Sequence, residues 1–241
     1  MDERGKWYIK SKYYYSFGSS LHRALQRFHD SGDTGVTDAQ TAIAALEETW
    51  IDAGYRSPQE MQEALGDGKR LLEKYVIEAD KNIGEAEVLF VEKRLRLDMG
   101  DFVIQGIVDR LDKLPDGRLR VVDYKSGRQS VSSEEIVNDI AMCTYQLMAS
   151  ELFPEYTSVE MSIIALRTLD QAFAEMDPSE LTQFKQDILT LGTEIINRDY
   201  ETMEPVPKEL CHDCDFLKLC QKHPDFRANY QPAEENIVAE S

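Results

Sequence analysis

The sequence predicts an α/β fold with a central mixed sheet flanked by helices and an α-helical insertion near the N-terminus. Three observations predict it. The first third of the 241 residues carries apolar side chains at helical spacing. Three β-rich runs follow between residues 87 and 126, and the remainder alternates between helix and strand patterns. A hydrophobic content of 42% supplies enough apolar material for a core and excludes a wholly disordered chain.

The N-terminal third is predicted to be helical. Apolar residues recur every three or four positions from Gly18 to His29, which indicates an amphipathic helix. Thr37–Asp52 and Pro58–Asp80 are rich in Ala, Leu, Glu, Gln and Lys, which favour helices. We therefore expect residues 30–84 to form a helical insertion ahead of the sheet.

The β-rich runs are separated by turn sequences, Met99-Gly100-Asp101 and Pro115-Asp116-Gly117. This pattern predicts a three-stranded meander. Glu134–Leu152 then has a helical pattern, Thr157–Leu169 alternates as a fourth strand, and Pro178–Asp199 is predicted to form another helix. Residues 230–241 are predicted to be a flexible acidic tail.

The charge balance limits the classes of partner. With 27 basic and 45 acidic residues the net charge is −18, the wrong sign for a protein that coats nucleic acid through bulk electrostatics. Any phosphate binding must be local, and the bases nearest the motifs discussed below are Arg23, Arg27, Lys93, Arg94, Arg96 and Arg128. No apolar stretch approaches the ~18 residues of a membrane helix, and the N-terminus lacks the apolar core of a secretory signal. We expect a cytoplasmic protein without a membrane partner.

Two acidic motifs lie on strands predicted to be neighbours. Gly-Ile-Val-Asp-Arg-Leu-Asp, which contains Asp109, is followed after the Pro-Asp-Gly turn by Val-Val-Asp-Tyr-Lys, which contains Asp123 and Lys125. Residues two apart on a strand share a face, so Asp123 and Lys125 project together. Two adjacent carboxylates repel each other unless a cation lies between them, and Mg²⁺ or Mn²⁺ suits oxygen ligands. Such an ion beside a lysine favours phosphodiester hydrolysis.

The order and spacing of these two motifs and the hairpin resemble those of the RecB-type exonuclease branch of the PD-(D/E)XK nuclease superfamily. This branch includes helicase-associated iron–sulfur nucleases and CRISPR-adaptation exonucleases. The resemblance spans residues 22 to 220. It implies a restriction-endonuclease-like core in a single domain, residues 1–229, and a metal-dependent DNA exonuclease that acts in repair, recombination or defence. Asp109, Asp123 and Lys125 are then catalytic.

The resemblance also implies a histidine ligand. Gly18-Ser19-Ser20-Leu21-His22 matches a G-x-x-x-H pattern on an early helix, so His22 joins Asp109 and Asp123 as a metal ligand. Because imidazole suits manganese better than magnesium, a His-Asp-Asp site favours Mn²⁺. Without the family context, His22 reads as an ordinary histidine on an amphipathic helix.

Two further residues are candidates for catalytic roles. Glu92 stands where many relatives carry a glutamate on the first core strand, and it is either an outer-shell acid that positions water or a surface glutamate. Tyr145 matches the tyrosine of a Q-x-x-x-Y motif on the helix after the lysine. Ala141 occupies the glutamine position, so this motif is incomplete.

The C-terminal segment 205–225 contains a cysteine cluster. Its spacing, Cys211-x2-Cys214-x5-Cys220, resembles the C-terminal triplet of the iron–sulfur subset, which implies a [4Fe-4S] cofactor. No cysteine precedes Cys143, which is expected to be a buried core residue, so the fourth ligand is not identified. Either the N-terminal segment of the relatives is shortened here or the cluster is lost. A zinc site completed by His223 is the alternative, and a metal-free segment is a third reading.

The expected partners are DNA, as single strands or ends, and a helicase or repair protein. Two other classes of function stay open at this stage. One is a non-catalytic nuclease-like module that binds DNA ends or a helicase partner. The other is a zinc or iron–sulfur interaction protein whose acidic surface binds proteins.

Overall fold

A computed structural model describes residues 11–30 and 38–231, without the side chains of residues 80–82. These residues divide into a large unit, Ser11–Glu194, and a smaller C-terminal unit that begins at Ile195. The predicted single domain, residues 1–229, stays a prediction. The predicted tail lies outside the described residues from position 232 onward.

The large unit is built on one five-stranded mixed sheet. The strands are β1 (Glu87–Asp98), β2 (Val103–Lys113), β3 (Leu119–Lys125), β4 (Val159–Ala165) and β5 (Asp170–Ala174). Their spatial order equals their sequence order, and all neighbours are antiparallel except β3 and β4, which are parallel. The predicted meander and the mixed sheet are therefore confirmed.

Helices cover both faces of this sheet. They are α1 (Tyr13–His29), α2 (Ala39–Thr49), α3 (Pro58–Ile83), α4 (Ser133–Val137), α5 (Ile140–Leu152) and α6 (Pro178–Asn197). One apolar core joins α1, α2 and α3 to a face of β3 through side chains such as Leu21, Leu46 and Tyr75. A second core joins α4 and α5 to the other face. The structure has the restriction-endonuclease-like α/β architecture that the sequence predicts.

The alternation of β3 separates the two cores. Leu119 and Val121 belong to the core on the α5 side, whereas Val122 and Tyr124 belong to the core on the α1–α3 side. This alternation agrees with the prediction for the strand that ends in the lysine motif. Cys143 is buried in the α5-side core, as expected.

The largest differences from the sequence predictions concern three elements. The first helix begins at Tyr13 rather than Gly18. The predicted helix Glu134–Leu152 is two helices. The first ends at Val137 with Asn138 as its C-cap, and Asp139 caps the second by accepting hydrogen bonds from the amides of Ala141 and Met142. The predicted strand Thr157–Leu169 is shorter, and the chain turns at Leu169, whose φ is +65°, into a fifth strand.

The insertion predicted at 30–84 contains α2 and α3, and residues 31–37 lie outside the described part of the chain. Asp38 caps α2 by accepting a 2.8 Å hydrogen bond from the amide of Thr41. Tyr75 of α3 is fully buried. These helices thus supply core residues for one face of the sheet.

The smaller unit contains short helical turns around the cysteines. These are a 3₁₀ helix (Glu209–Asp213), α7 (Leu217–Cys220) and α8 (Pro224–Asn229). Among the helices in the described ranges, none is long and apolar enough to cross a membrane.

Candidate active site

Three potential metal ligands meet where α1 crosses the sheet. One ligand atom from each of His22, Glu92 and Asp109 lies within 4.8 Å of the other two. They come from α1, β1 and β2, so the folded sheet and its covering helix are both needed to bring them together. All three side chains are partly buried. Among the described residues, no other group of three His, Cys, Asp or Glu side chains meets this spacing.

Glu92 reaches the cluster because β1 is irregular. Its φ is +47°, a left-handed conformation that a non-glycine residue rarely adopts within a strand. Val91 pairs with Arg110 and Lys93 pairs with Val108, so Glu92 interrupts the regular ladder opposite Asp109. Such local strain often occurs at functional sites. The sequence offered no glycine or other turn residue to signal this irregularity.

His22 is held at both ring nitrogens. Its Nε2 lies 3.0 Å from the carbonyl oxygen of Tyr124, and its Nδ1 lies 3.1 Å from Oδ1 of Asp109. Because a carbonyl only accepts hydrogen bonds, Nε2 carries a proton, and Nδ1 is the atom that can bind a metal once deprotonated. Burial alone would lower the pKa of His22, but the hydrogen bond and the charge of Asp109 outweigh burial and raise it.

Asp109 is fixed by the backbone of the lysine motif. Its Oδ2 accepts a 2.7 Å hydrogen bond from the amide of Tyr124, while Oδ1 faces His22. Tyr124 therefore positions both side chains, the histidine through its carbonyl and the aspartate through its amide. This arrangement explains why the two motifs must occupy neighbouring strands.

Asp123 and Lys125 project together, as the sequence predicts. Lys125 Nζ lies 2.9 Å from Asp123 Oδ2 as an ion pair. The pair lacks hydrogen-bond geometry, so this buried oxygen has no hydrogen-bond partner among the described residues. Burial, together with the negative charge of Asp109, raises the pKa of Asp123 to about 6. The positive charge of Lys125 acts in the opposite direction and lowers this pKa, but by less. Asp123 is not part of the three-residue cluster.

The site carries more negative charge than its own cations compensate. Burial and then the charge of Asp109 raise the pKa of Glu92, and burial followed by Asp123 and Asp109 raises the pKa of Tyr145. A bound divalent cation would relieve this repulsion. The donor set, one imidazole with carboxylate oxygens, and the buried carboxylate of Asp123 beside it fit a Mg²⁺ or Mn²⁺ ion.

Tyr145 lies against the strand that carries the first acidic motif. A Cβ atom added to Gly106 would stand 2.6 Å from Cε1 of Tyr145. The glycine of the Gly-Ile-Val-Asp sequence therefore makes room for this ring. The structure places Tyr145 near the acidic site, and its catalytic role stays a prediction.

A buried polar network supports Tyr124 from the α1–α3 side. The guanidinium of Arg110 is fully buried and donates to both oxygens of Asp112 at 2.9–3.1 Å. It also donates to the hydroxyls of Tyr75 and Tyr124, each at 2.8 Å, and approaches Nε2 of His29 at 3.2 Å. No motif in the sequence indicates this network. Its members come from α1, α3, β2 and β3, which no local pattern connects.

The acidic site opens into a cleft of ≈ 780 Å³ between α1 and the segment that follows β3. His22, Glu92, Asp123 and Lys125 line it. Of the basic residues singled out from the sequence, Arg23 and Arg128 line the same cleft.

The cysteines show no assembled metal site. Cys211, Cys214, Cys220 and His223 are all described, and they form no group of three ligand atoms within 4.8 Å. The amide of Lys208 donates a 3.2 Å hydrogen bond to Sγ of Cys211. Neither the iron–sulfur nor the zinc prediction gains support from this arrangement, and both stay predictions.

Comparison with known proteins agrees with this architecture. The profile of the PD-(D/E)XK nuclease superfamily matches residues 7–221. The chain is 26% identical over 145 residues to a subunit of the ATP-dependent helicase/deoxyribonuclease of Streptococcus pyogenes serotype M49, and 27% identical to that of serotype M6. Each alignment covers 57% of this chain and 13% of the relative, so the chain spans a small part of these proteins.

A crystal structure from Eubacterium rectale, provisionally named an exonuclease, is also similar. It is 12% identical, with a TM-score of 0.40, over 95% of this chain and 96% of that one. The superfamily profile alone covers most of the chain, including every residue of the acidic site. The chain therefore belongs to the PD-(D/E)XK nuclease superfamily.

Proposed function

We propose that this protein is a metal-dependent deoxyribonuclease, acting as an exonuclease in DNA repair, recombination or defence. One observation carries the proposal. His22, Glu92 and Asp109 converge within 4.8 Å beside the Asp123–Lys125 pair, in an open cleft. A scaffold that only binds would gain nothing from carboxyl groups such as Glu92 and Asp123, whose pKa values are raised by burial and by the charge of Asp109.

His22, Glu92, Asp109 and Asp123 would hold the metal ion. When bound, a divalent cation stabilises negative charge on phosphoryl oxygens and lowers the pKa of water. Lys125 brings a positive charge to the same edge of the cleft, where it stabilises charge that develops on the phosphoryl group. Tyr124 keeps His22 and Asp109 in place through its backbone. The imidazole in this set favours Mn²⁺ over Mg²⁺.

The test compares wild type with Asp123→Asn on end-labelled DNA in the presence of Mn²⁺, Mg²⁺ or EDTA. The amide keeps the shape of the carboxylate and removes its charge, so folding is retained while cleavage is lost. Asp101→Asn is the matched control, because this exposed aspartate lies in the turn between β1 and β2. Cleavage by Asp123→Asn at the wild-type rate would contradict the assignment of the site.

Circular and linear single-stranded DNA of one sequence separate the two modes of cutting. An exonuclease degrades the linear molecule and leaves the circle intact. Cutting of both at equal rates would identify an endonuclease instead. Linear duplexes with blunt or single-stranded ends then show which ends the enzyme uses.

Lys125→Ala separates binding of the metal from chemistry. We expect the rate of cleavage to fall by about 100-fold or more, as for removal of one charge-stabilising group, with little change in Mn²⁺ affinity. His22→Ala, by contrast, should weaken Mn²⁺ binding. Equal Mn²⁺ titrations of His22→Ala and wild type would exclude the histidine as a ligand.

DNA is the proposed substrate, as single strands or ends, and a helicase is a proposed partner. The partner proposal is supported by the Streptococcus pyogenes relatives, which are named as parts of an ATP-dependent helicase/deoxyribonuclease. Co-purification of a helicase with the tagged full chain, retained after nuclease treatment to remove DNA bridges, would support it. If no helicase co-purifies, the partner proposal is contradicted and the nuclease proposal is unaffected.

The cysteine segment is proposed to hold a [4Fe-4S] cluster, with zinc bound by Cys211, Cys214, Cys220 and His223 as the alternative. Protein purified without oxygen is assayed for iron, sulfide and zinc. Because metal ligands order such segments, protease resistance of residues 205–225 should follow metal content. Full protection in metal-free protein would contradict both metal assignments.

A further inference from the structure

One face of α1 lines the active-site cleft along most of its length. The residues recur at helical spacing, and they include Tyr14, Tyr15, Gly18, Ser19, His22 and Arg23. This face leads from aromatic rings at the start of the helix to the histidine of the acidic site. The small residues Gly18 and Ser19 separate the two ends. An added Cβ at Gly18 would stand 3.2 Å from Oγ of Ser126, so α1 runs close to the segment that follows β3.

The two tyrosines in the cleft are accessible to a ligand. Tyr15 is 65% exposed and Tyr14 is 44% exposed. Their ring centroids lie 4.5 Å apart, and Tyr13 contacts Tyr14 edge-on. Large exposed aromatic rings are unfavourable in water, and a pair of them inside an active-site cleft indicates a binding role.

The remainder of the fold supports this pair of rings. Tyr13 contacts Tyr55, which stacks on Trp50 with an interplanar angle of 18°. A Cβ at Gly54 would stand 2.7 Å from the backbone of Lys12 and Tyr13, so the loop before α3 packs tightly against the start of α1. The start of α1 is therefore held in place, which lowers the entropy lost when a ligand binds there.

Cations line the same cleft as the rings in an otherwise acidic protein. Arg23 is exposed one residue after His22, and Arg128 lines the opposite side of the cleft. Arg128 Nη1 also contacts Glu135 at 3.0 Å. Aromatic rings interleaved with cations are typical of surfaces that bind single-stranded nucleic acid, where bases stack and phosphates pair with the cations.

Unpaired bases fit this surface better than a duplex does. Away from the ends of a duplex both faces of each base are covered by neighbouring bases, so a tyrosine ring has no free face to stack on unless the strand is opened. The spacing is also informative. Tyr14 and His22 are eight residues apart, or about 12 Å along the helix axis. This distance equals three to four steps of a stacked strand at about 3.4 Å each.

We propose that Tyr14 and Tyr15 form a stacking site for single-stranded DNA, about three to four nucleotides from the phosphodiester bond at the metal centre. This inference rests on the proposed nuclease function and names its substrate class. Bases stack on the tyrosine rings, and Arg23 pairs with a backbone phosphate between the rings and the acidic site. The site thus selects strands that extend beyond the cleaved bond.

Binding is measured by fluorescence anisotropy with labelled dT12 and an abasic 12-mer that has the same phosphates without bases. All proteins carry Asp123→Asn, so that Mn²⁺ is present without cleavage. Tyr15→Ala should weaken dT12 binding by about 5- to 150-fold, the range for loss of one stacked base. Tyr15→Phe should retain affinity because phenylalanine keeps the ring. Tyr200→Ala is the control and should leave dT12 binding unchanged, because this tyrosine is 58% exposed and does not line the cleft.

A series from dT2 to dT8 tests the spacing. With Tyr15 present, affinity should rise steeply as the length passes about four nucleotides, and Tyr15→Ala should remove this rise. Equal loss of binding to dT12 and the abasic strand, or unchanged dT12 binding by Tyr15→Ala, would overturn the stacking site. Circular dichroism verifies that each variant is folded.

The nuclease proposal has a separate readout. Wild-type degradation of end-labelled dT12 with Mn²⁺ at saturating protein, compared with Asp123→Asn, tests the metal centre even where strand affinity is reduced. Failure of this reaction together with tyrosine-dependent dT12 binding would overturn the nuclease proposal and leave the stacking site supported. Hydrolysis without tyrosine-dependent binding would do the opposite.

Discussion

Asp112→Ala should be among the most destabilising substitutions in the sheet. Arg110 and Asp112 have 0% exposed side chains, and three nitrogen–oxygen contacts of 2.9–3.1 Å join them. Without the carboxylate, the hydrogen-bond partners left to the guanidinium among the described residues are neutral, namely the hydroxyls of Tyr75 and Tyr124 and the imidazole of His29. Leaving a buried charge without its counter-ion costs about 3–5 kcal/mol. That is a large part of the ~5–15 kcal/mol that stabilises a typical domain.

Urea unfolding at pH 7, followed by circular dichroism, measures this loss as a shift in midpoint at constant slope. Asp116→Ala is the matched control, because Asp116 also contacts an arginine two residues away, Arg118 at 2.8 Å, but in an exposed turn. Exposed pairs contribute little, so the control should unfold close to the wild-type midpoint. If both variants lost the same stability, the interior position of the Arg110–Asp112 pair would have no energetic consequence and the reasoning would be refuted.

A double replacement distinguishes loss of charge pairing from loss of packing. Arg110→Met with Asp112→Leu removes both charges and keeps apolar volume, so it should recover most of the stability that Asp112→Ala loses. If Asp112→Ala fails to fold, Asp112→Asn offers a milder test, because its amide oxygen still accepts from the guanidinium. A double variant less stable than Asp112→Ala would show that the pair contributes net stability.

Three further predictions concern residues around the same site. Burial, with the charge of Arg110, lowers the pKa of His29 well below 6.5 in the folded protein, so below pH 6.5 the unfolded chain binds a proton that the folded protein does not. The free energy of unfolding should therefore fall by up to about 1.4 kcal/mol per pH unit, and His29→Gln should flatten this dependence on pH in urea titrations from pH 7 to 5. Tyr124→Phe should weaken Mn²⁺ binding by about 10-fold or more in calorimetry, whereas Tyr75→Phe, which loses the same contact to the guanidinium, should leave it unchanged. Gly106→Ala should lose about 1–3 kcal/mol through its clash with Tyr145, and Tyr145→Ala should relieve that loss in the double variant, which thermal unfolding would detect.

The parts of the fold that the sequence predicts are those with strong local periodicity. The alternation of Leu119, Val121 and Asp123 gives the orientation of the lysine motif, and the Pro-Asp-Gly turn makes the two acidic strands neighbours. The fifth strand escapes prediction because the turn before it, at Leu169, adopts a positive φ without a glycine or asparagine. The break at Asp139 had a recognisable signal, since aspartate is a frequent helix cap.

The candidate site, like the fold, is predicted from the sequence only in part. The family resemblance predicts His22 and Asp109, and the structure brings them to 3.1 Å. The resemblance gives Glu92 the role of an outer-shell acid or leaves it a surface residue. The structure places Glu92, rather than Asp123, within the three-residue cluster. The difference arises from an irregularity in β1 that depends on pairing with β2. Pairing of this kind reflects contacts between distant parts of the chain, which a single sequence does not display.

Tyr124 links the chemistry of the site to the core behind it. Its amide holds Asp109, its carbonyl holds His22, and its hydroxyl accepts a hydrogen bond from Arg110 on the opposite side of the strand. The strand alternation makes this possible, because the residue between Asp123 and Lys125 must point to the other face. An aromatic residue with a polar tip at that position can reach a buried cation while its backbone serves the metal ligands. The contact between Arg110 and the hydroxyl of Tyr124 should therefore affect the affinity of the site for metal, although no member of the Arg110 network is itself a proposed ligand.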